Sequence, residues 1–168
     1  LKDSLMNLAT TNEAGAIYNT YLNSFKNEDG SVNWLPVCAD AHGLVVNRDL
    51  FVQYGIPLPT DYASFVAACK AFEEVGIRGY TADYLYDYTC METLQGLSAG
   101  ELTTIAGRKW RTAYSDPANN TRVGLDDTVW PGGFERMEQF IQDTGLTAAD
   151  LELNYDDVVE MFGNGQLA

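Results

Sequence analysis

The sequence predicts an α/β fold, helix-rich with a small mixed sheet, on three observations. Leu44, Val45 and Val46 run together without polar alternation, as in a strand buried on both faces. A second extended run covers Ile77 to Ala82. Segments with apolar residues at helical spacing lie before, between and after these runs, giving the strand–helix alternation of an α/β chain.

The 168 residues fit one domain's worth of chain, and 46% hydrophobic and 12% aromatic content supplies a core. No fixed-period repeat, low-complexity tract or apolar run of about 20 residues interrupts it.

In chain order, Ile17, Tyr18, Tyr21, Leu22 and Phe25 form an apolar stripe that predicts a helix from about Glu13 to Phe25. Asp29-Gly30 signals a turn. Val32, Trp34 and Val37 then lead into an extended segment that Pro36 confines to a short or edge strand. After the strand of Leu44, Val45 and Val46, Asn47 caps a short helix over "RDLFVQYG", which Gly55 ends. "IPLPT" is an extended elbow, because a residue before proline is pushed out of the helical region. Thr60 is placed as the next N-cap, with Asp61 complementing the dipole of the first turn.

The following helix carries Tyr62, Phe65, Val66, Cys69 and Phe72 on one face and stops at Gly76. Helical spacing returns at Met91, Leu94 and Leu97, after the Ile77–Ala82 strand. From Ser98 to Asp127 the Thr-, Gly- and Asn-rich composition predicts an irregular excursion, with "DPANN" as a turn. Trp130, Phe134, Met137 and Ile141 line a helix closed by Gly145. Tyr155, Val158, Val159 and Phe162 line another, capped by Asn154 and stopped by Gly163.

Charge and cysteine content exclude several functions. The net charge of −14, from 24 acidic and 10 basic residues, repels phosphate backbones and anionic lipid headgroups, so nucleic acid is not an expected partner. Cys38, Cys69 and Cys90 lack C-x-x-C spacing and the only histidine is His42, which leaves no metal site and implies no cofactor. The chain opens at Leu1 without a signal-like core, and it is expected to be an excerpt cut back at both ends.

The stretch "WLPVCADAHGLVVNRDLFVQYGIPLPTDYASFVAACKAF" resembles a run in extracellular solute-binding proteins of ATP-binding-cassette importers. The matching positions are Pro36, Leu44 to Asn47, Asp49-Leu50-Phe51, Tyr54-Gly55-Ile56, Pro59-Thr60 and Phe65. The pattern is similar to the carbohydrate-type family 1, the group that includes maltose-binding protein. "YDDVVEMFGNGQLA" is similar to that family's Phe-x-x-Gly-x-x-Ala approach to a returning strand. Ala63 departs from the family's frequent Glu at the third helical residue.

The resemblance implies a periplasmic-binding-protein-like (type II) lobe. Residues 1–37 would be the end of a first lobe with its crossing segment, and 38–168 most of the second. It further implies an extracytoplasmic protein, held at the membrane only by a lipid anchor outside this chain. Such a protein closes on a sugar or oligosaccharide by a hinge motion and delivers it to permease subunits.

Sugars are recognised by aromatic faces against their C–H surfaces and by planar polar groups at their hydroxyls. "GYTADYLYDYT" supplies that mixture in Tyr80, Asp83, Tyr84, Tyr86, Asp87 and Tyr88, at the carboxyl end of the expected 77–82 strand. By the resemblance a stacking aromatic sits here, which makes Tyr84 and Tyr86 the leading ligand contacts, with Asp83 and Asp87 beside them. Asp40 stands where maltose-type relatives place an acidic contact, and the neighbouring His42 is a candidate donor. The alternative for each tyrosine is a place in the core. Trp34, Trp110 and Trp130 are further stacking candidates, Trp130 lying on a helical core stripe.

Enzyme signatures are missing: no G-x-S-x-G, P-loop, G-x-G-x-x-G or H-E-x-x-H occurs, and the chain is expected to bind rather than catalyse. Two alternatives stand beside sugar binding: a glycan hydrolase using Asp83 and Asp87 as its carboxylate pair, and an interaction module without a ligand.

Overall fold

The structure, a computed structural model, describes residues 4–39, 42–116, 118 and 130–168. The chain divides into two compact units, residues 1–45 and 46–168.

In the first unit, α1 (Asn12–Gly15) begins at Thr11, whose hydroxyl accepts from the Ala14 N–H, and α2 (Asn19–Asn23) follows. The single helix expected from Glu13 to Phe25 is therefore two short ones. The Ile17 N–H bonds back to the Ala14 carbonyl, closing the first helix, and the extended Tyr18 (ψ 134°) starts the second. Ala14, Leu22 and Val32 form the buried core of this unit, with Ala9, Ile17 and Leu35 against it. Val32 forms one isolated antiparallel bridge with Lys26, and its carbonyl also accepts from the Leu8 N–H (2.6 Å).

The second unit is built from α3 (Arg48–Tyr54), α4 (Tyr62–Glu74), α5 (Asp87–Leu102), α6 (Ile105–Ser115), α7 (Trp130–Thr144), a 3-10 turn at Ala148–Glu152 and α8 (Tyr155–Gly163). Local chemistry sets their ends. Asn47 and Asn154 accept backbone N–H groups at the starts of α3 and α8. Gly55 ends α3 at φ 65°, a left-handed position that glycine adopts without steric cost. The cap of α4 is Asp61, one residue later than expected, because Asp61 and Ser64 form a reciprocal capping box.

The α/β expectation is corrected to an all-helical class, since among the described residues there is no strand and no sheet, and 57% of them are helical. A strand needs a neighbour for its backbone groups, and a run of apolar residues does not provide one. Leu44 and Val45, expected in a doubly buried strand, are 61% and 78% exposed. Among the described residues the 77–82 run pairs at one position, a parallel bridge between Arg78 and Leu167. The expected 32–37 strand likewise reduces to the Val32 bridge. The periplasmic-binding-protein-like lobe with its small mixed sheet is thus not the observed architecture.

Helix-on-helix packing replaces the sheet, with α5 against α6 and α7, and α7 against α4. Gly133 of α7 lets the helices approach so closely that a Cβ there would lie 2.5 Å from the buried Ser98 Oγ of α5. Arg136 adds polar links, donating from Nε to the Leu97 carbonyl (3.0 Å) and pairing with Glu101 (2.8 Å). The irregular excursion expected over Ser98 to Asp127 is replaced, in its described part, by the end of α5 and by α6. Thr104 caps α6 through the Gly107 N–H. The rest of that stretch, including most of "DPANN", lies outside the described residues.

Two groups of side chains pack within this unit. Leu50, Phe51, Ala68, Phe72, Ile77 and Ala168 make one, with the Phe51 and Phe72 rings edge-to-face at 4.8 Å. Phe65, Tyr80 and Phe140 make the other. Phe65 stacks on Phe140 at 6.0 Å and Tyr80 meets Phe140 edge-on at 5.0 Å, pairs worth about 0.5–1.5 kcal/mol each beyond area burial.

A buried ion pair fixes the segment that leads to the tyrosines. Asp150 is 5% exposed. It accepts from Arg78 Nη2 at 2.7 Å on both oxygens, from Thr81 Oγ1 (2.8 Å), and from the Thr147 N–H (2.7 Å) and hydroxyl (3.0 Å). Burial pushes its carboxyl up, but the Thr147 N–H, the two hydroxyls and the Arg78 charge outweigh that and hold it below 3.8.

Candidate functional site

The tyrosine-rich loop is anchored at both of its ends. At its start, Thr81 bonds Asp150, and at its end Tyr86 is the N-cap of α5, in an extended conformation (φ −97°, ψ 128°). Between them the Tyr84 N–H bonds the Ala82 carbonyl and the Leu85 N–H bonds the Leu153 carbonyl (3.0 Å). The loop thus presents its side chains from a fixed backbone.

Asp83 organises the first turn of α5. Its Oδ1 accepts from Thr89 Oγ1 (2.9 Å), its Oδ2 from the Tyr88 hydroxyl (3.4 Å), and its carbonyl from the Tyr86 N–H (3.2 Å). Desolvation first, and then the Asp83 carboxylate it donates to, raise the Tyr88 phenol above its ordinary value of 10.0.

The six residues expected at the site fall in different places. Tyr86 is 38% exposed and stacks on Tyr88, 52% exposed, with ring centroids 5.4 Å apart and planes 12° from parallel. Asp83, partly buried, props this pair, and Asp87 is exposed on the first turn of α5. Tyr84 is 5% exposed, so its ring is not at the surface. Its hydroxyl lies 2.8 Å from that of Tyr80 and 3.2 Å from Thr93 Oγ1.

That chain of hydroxyls has a direction. Thr93 gives its one proton to the Thr89 carbonyl (2.9 Å), so Tyr84 donates to Thr93 and accepts from Tyr80. Burial raises the phenol pKa of both tyrosines. His42, exposed, belongs to the other unit, and Asp40 lies outside the described residues.

Composition alone left Tyr88 out of the leading contacts. Its role comes from the capping geometry, because residues two apart across a helix start, one in the cap and one in the first turn, bring their rings together. The Tyr-x-Tyr spacing around Asp87 was the available signal.

The arrangement is an exposed aromatic ridge flanked by carboxylates, with no cationic residue anywhere in α5. Chemically it offers ring faces to C–H surfaces or cations, and acceptors to hydroxyl or ammonium donors. Among the described residues no group of three or more His, Cys, Asp or Glu is placed to hold a metal ion. No described helix is long and apolar enough to cross a membrane. Comparison with known proteins found no match among family models, curated proteins or solved structures.

Proposed function

We propose that this chain is the saccharide-recognising part of an extracytoplasmic solute-binding protein that serves an ATP-binding-cassette importer. It binds a sugar or oligosaccharide without altering it and hands it to permease subunits. The observation that carries the reading is the stacked, exposed Tyr86–Tyr88 pair held by Asp83 at the start of α5. The exposed Asp87, between the two tyrosines in sequence, offers an acceptor for the hydroxyls of a pyranose ring laid on that pair. The importer assignment rests on the residues of the "WLPVCADAHGLVVNRDLF" run and its continuation.

A thermal-shift screen against mono- and oligosaccharides tests the reading. Ligand at a hundred times its dissociation constant adds about 2.7 kcal/mol of stability. At about 2–4 °C per kcal/mol for a chain of this size, the melting temperature rises by roughly 5–10 °C. A rise that disappears in Tyr86→Ala/Tyr88→Ala supports the site. No rise with any saccharide sinks it.

A further inference from the structure

A groove lies in the first unit, between α1, α2 and the Ala9–Thr11 and Gly30 turns, with a volume of about 800 Å³. That is within the range of roughly 300–1,000 Å³ that small-molecule sites occupy. Ala14 and Leu22, both buried, lie at its base, and Tyr18 stands at its wall 81% exposed.

The polar groups that line it divide into two sets. Thr11 is satisfied within the fold, its hydroxyl donating to the Leu8 carbonyl (3.0 Å) and accepting from the Ala14 N–H (3.2 Å). Thr10, Asn19 and Lys26, together with the Tyr18 phenol, have no side-chain hydrogen bond or ion pair among the described residues. Tyr18 begins α2 without a side-chain capping bond, so neither its ring nor its hydroxyl is committed to holding the helix. Lys26 carries no ion pair among the described residues, in a chain of 24 acidic residues. The Asp29 carboxylate close to it in sequence is turned onto the Ser31 N–H (2.9 Å) and hydroxyl (2.6 Å).

We infer that this groove is a binding site for an acidic monosaccharide, a hexuronate. The chemistry is complementary at each point. The Tyr18 face takes the apolar side of a pyranose ring, the Asn19 amide and Thr10 hydroxyl exchange hydrogen bonds with ring hydroxyls, and the Lys26 ammonium pairs with the carboxylate. One cation matches one carboxylate, and a neutral hexose leaves it without a counter-charge. The inference stands apart from the Tyr86–Tyr88 ridge, since every lining residue belongs to residues 9–30.

The test is a titration of the full chain with glucuronate, and separately with glucose, followed through backbone amide resonances. Glucuronate is expected to shift residues 9–30 saturably and to bind more tightly than glucose. Lys26→Gln should cut glucuronate affinity about two- to fivefold, the worth of an exposed ion pair, and leave glucose unchanged. Tyr18→Ala should weaken both ligands, roughly tenfold for a lost stacking face.

Both side chains are exposed, and the same spectra report whether each variant is folded. Absence of saturable shifts in residues 9–30 would overturn the inference, as would a Lys26→Gln variant with an unchanged glucuronate-to-glucose ratio. Glucuronate shifts that vanish in Tyr86→Ala/Tyr88→Ala would move the ligand to the tyrosine ridge and overturn it equally.

Discussion

Replacing Asp150 with alanine removes the acceptor for four donor groups at once: Arg78 Nη2, the Thr81 hydroxyl, and the Thr147 N–H and hydroxyl. Deleting one partner of a buried ion pair costs about 3–5 kcal/mol, because the other charge is left buried and unpaired. Here the Arg78 side chain is 20% exposed and keeps the Gly145 carbonyl (3.1 Å) and Glu73 (3.5 Å), which places its share at or below the lower end. Loss of the Thr147 capping bonds adds about 1 kcal/mol. The expected total is about 3–4 kcal/mol, or a fall of roughly 6–16 °C in melting temperature.

Urea denaturation followed by circular dichroism measures this, with Glu73→Ala as the comparison. Glu73 pairs with the same arginine from an exposed position, and its removal should cost under about 1 kcal/mol. Asp150→Ala costing no more than Glu73→Ala would refute the argument that burial makes this pair the pin of the loop. The pH dependence has a definite sign. With its folded pKa below 3.8, Asp150 contributes stability that is fully present above the ordinary carboxylate value. That stability is lost as the pH falls from 3.8 through the lowered one. Asp150→Ala should therefore flatten the acid limb of the stability profile below pH 3.8.

Other outcomes follow from close packing and from the thiols. Gly133→Ala places a Cβ 2.5 Å from Ser98 Oγ and should cost about 1–3 kcal/mol. Ser98→Ala in the same chain should recover most of it, since that hydroxyl is buried without a hydrogen bond, and a double-mutant cycle by thermal melts reads the coupling. Gly79→Ala meets the Cys69 backbone at 2.5 Å, where no side chain can yield, so its loss of about 2 kcal/mol or more should resist rescue at neighbouring side chains. Burial, followed by the Glu73 charge, raises the Cys69 thiol to about 11, while Cys38 is exposed. Timed alkylation at pH 8 with peptide mass mapping should label Cys38 first and Cys69 only on unfolding.

The helices were legible where their signals were local. Asn47 and Asn154 as caps, and Gly55, Gly76 and Gly145 at positive φ, are chemistry within a few residues of each helix end. That the described residues form no sheet was not legible, because whether Leu44–Val46 becomes a strand depends on a partner elsewhere in the chain. An apolar run has no means of reporting that partner. Helix α6 was hidden by its Thr- and Gly-containing sequence, although Thr104 is a sound N-cap and Gly107 is needed where a Cβ would collide with the Glu101 carbonyl oxygen.

At the candidate site, composition picked out Asp83 and Tyr86 but did not separate the buried Tyr84 from its exposed neighbours. That separation depends on Tyr80 and Thr93 reaching the Tyr84 hydroxyl. Asp150 left one local sign, the Thr147-x-x-Asp150 capping box, but its ion-pair partner Arg78 is 72 residues away and left none.

The most direct test of saccharide recognition at the ridge is an amide-resonance titration of the full chain with a panel of neutral oligosaccharides, repeated on Tyr86→Ala/Tyr88→Ala. At least one saccharide should produce saturable shifts centred on Asp83 to Thr89, and the double variant, still folded, should lose them. Shifts in that segment that persist without the two rings, or a segment left unmoved by every saccharide, would contradict the account.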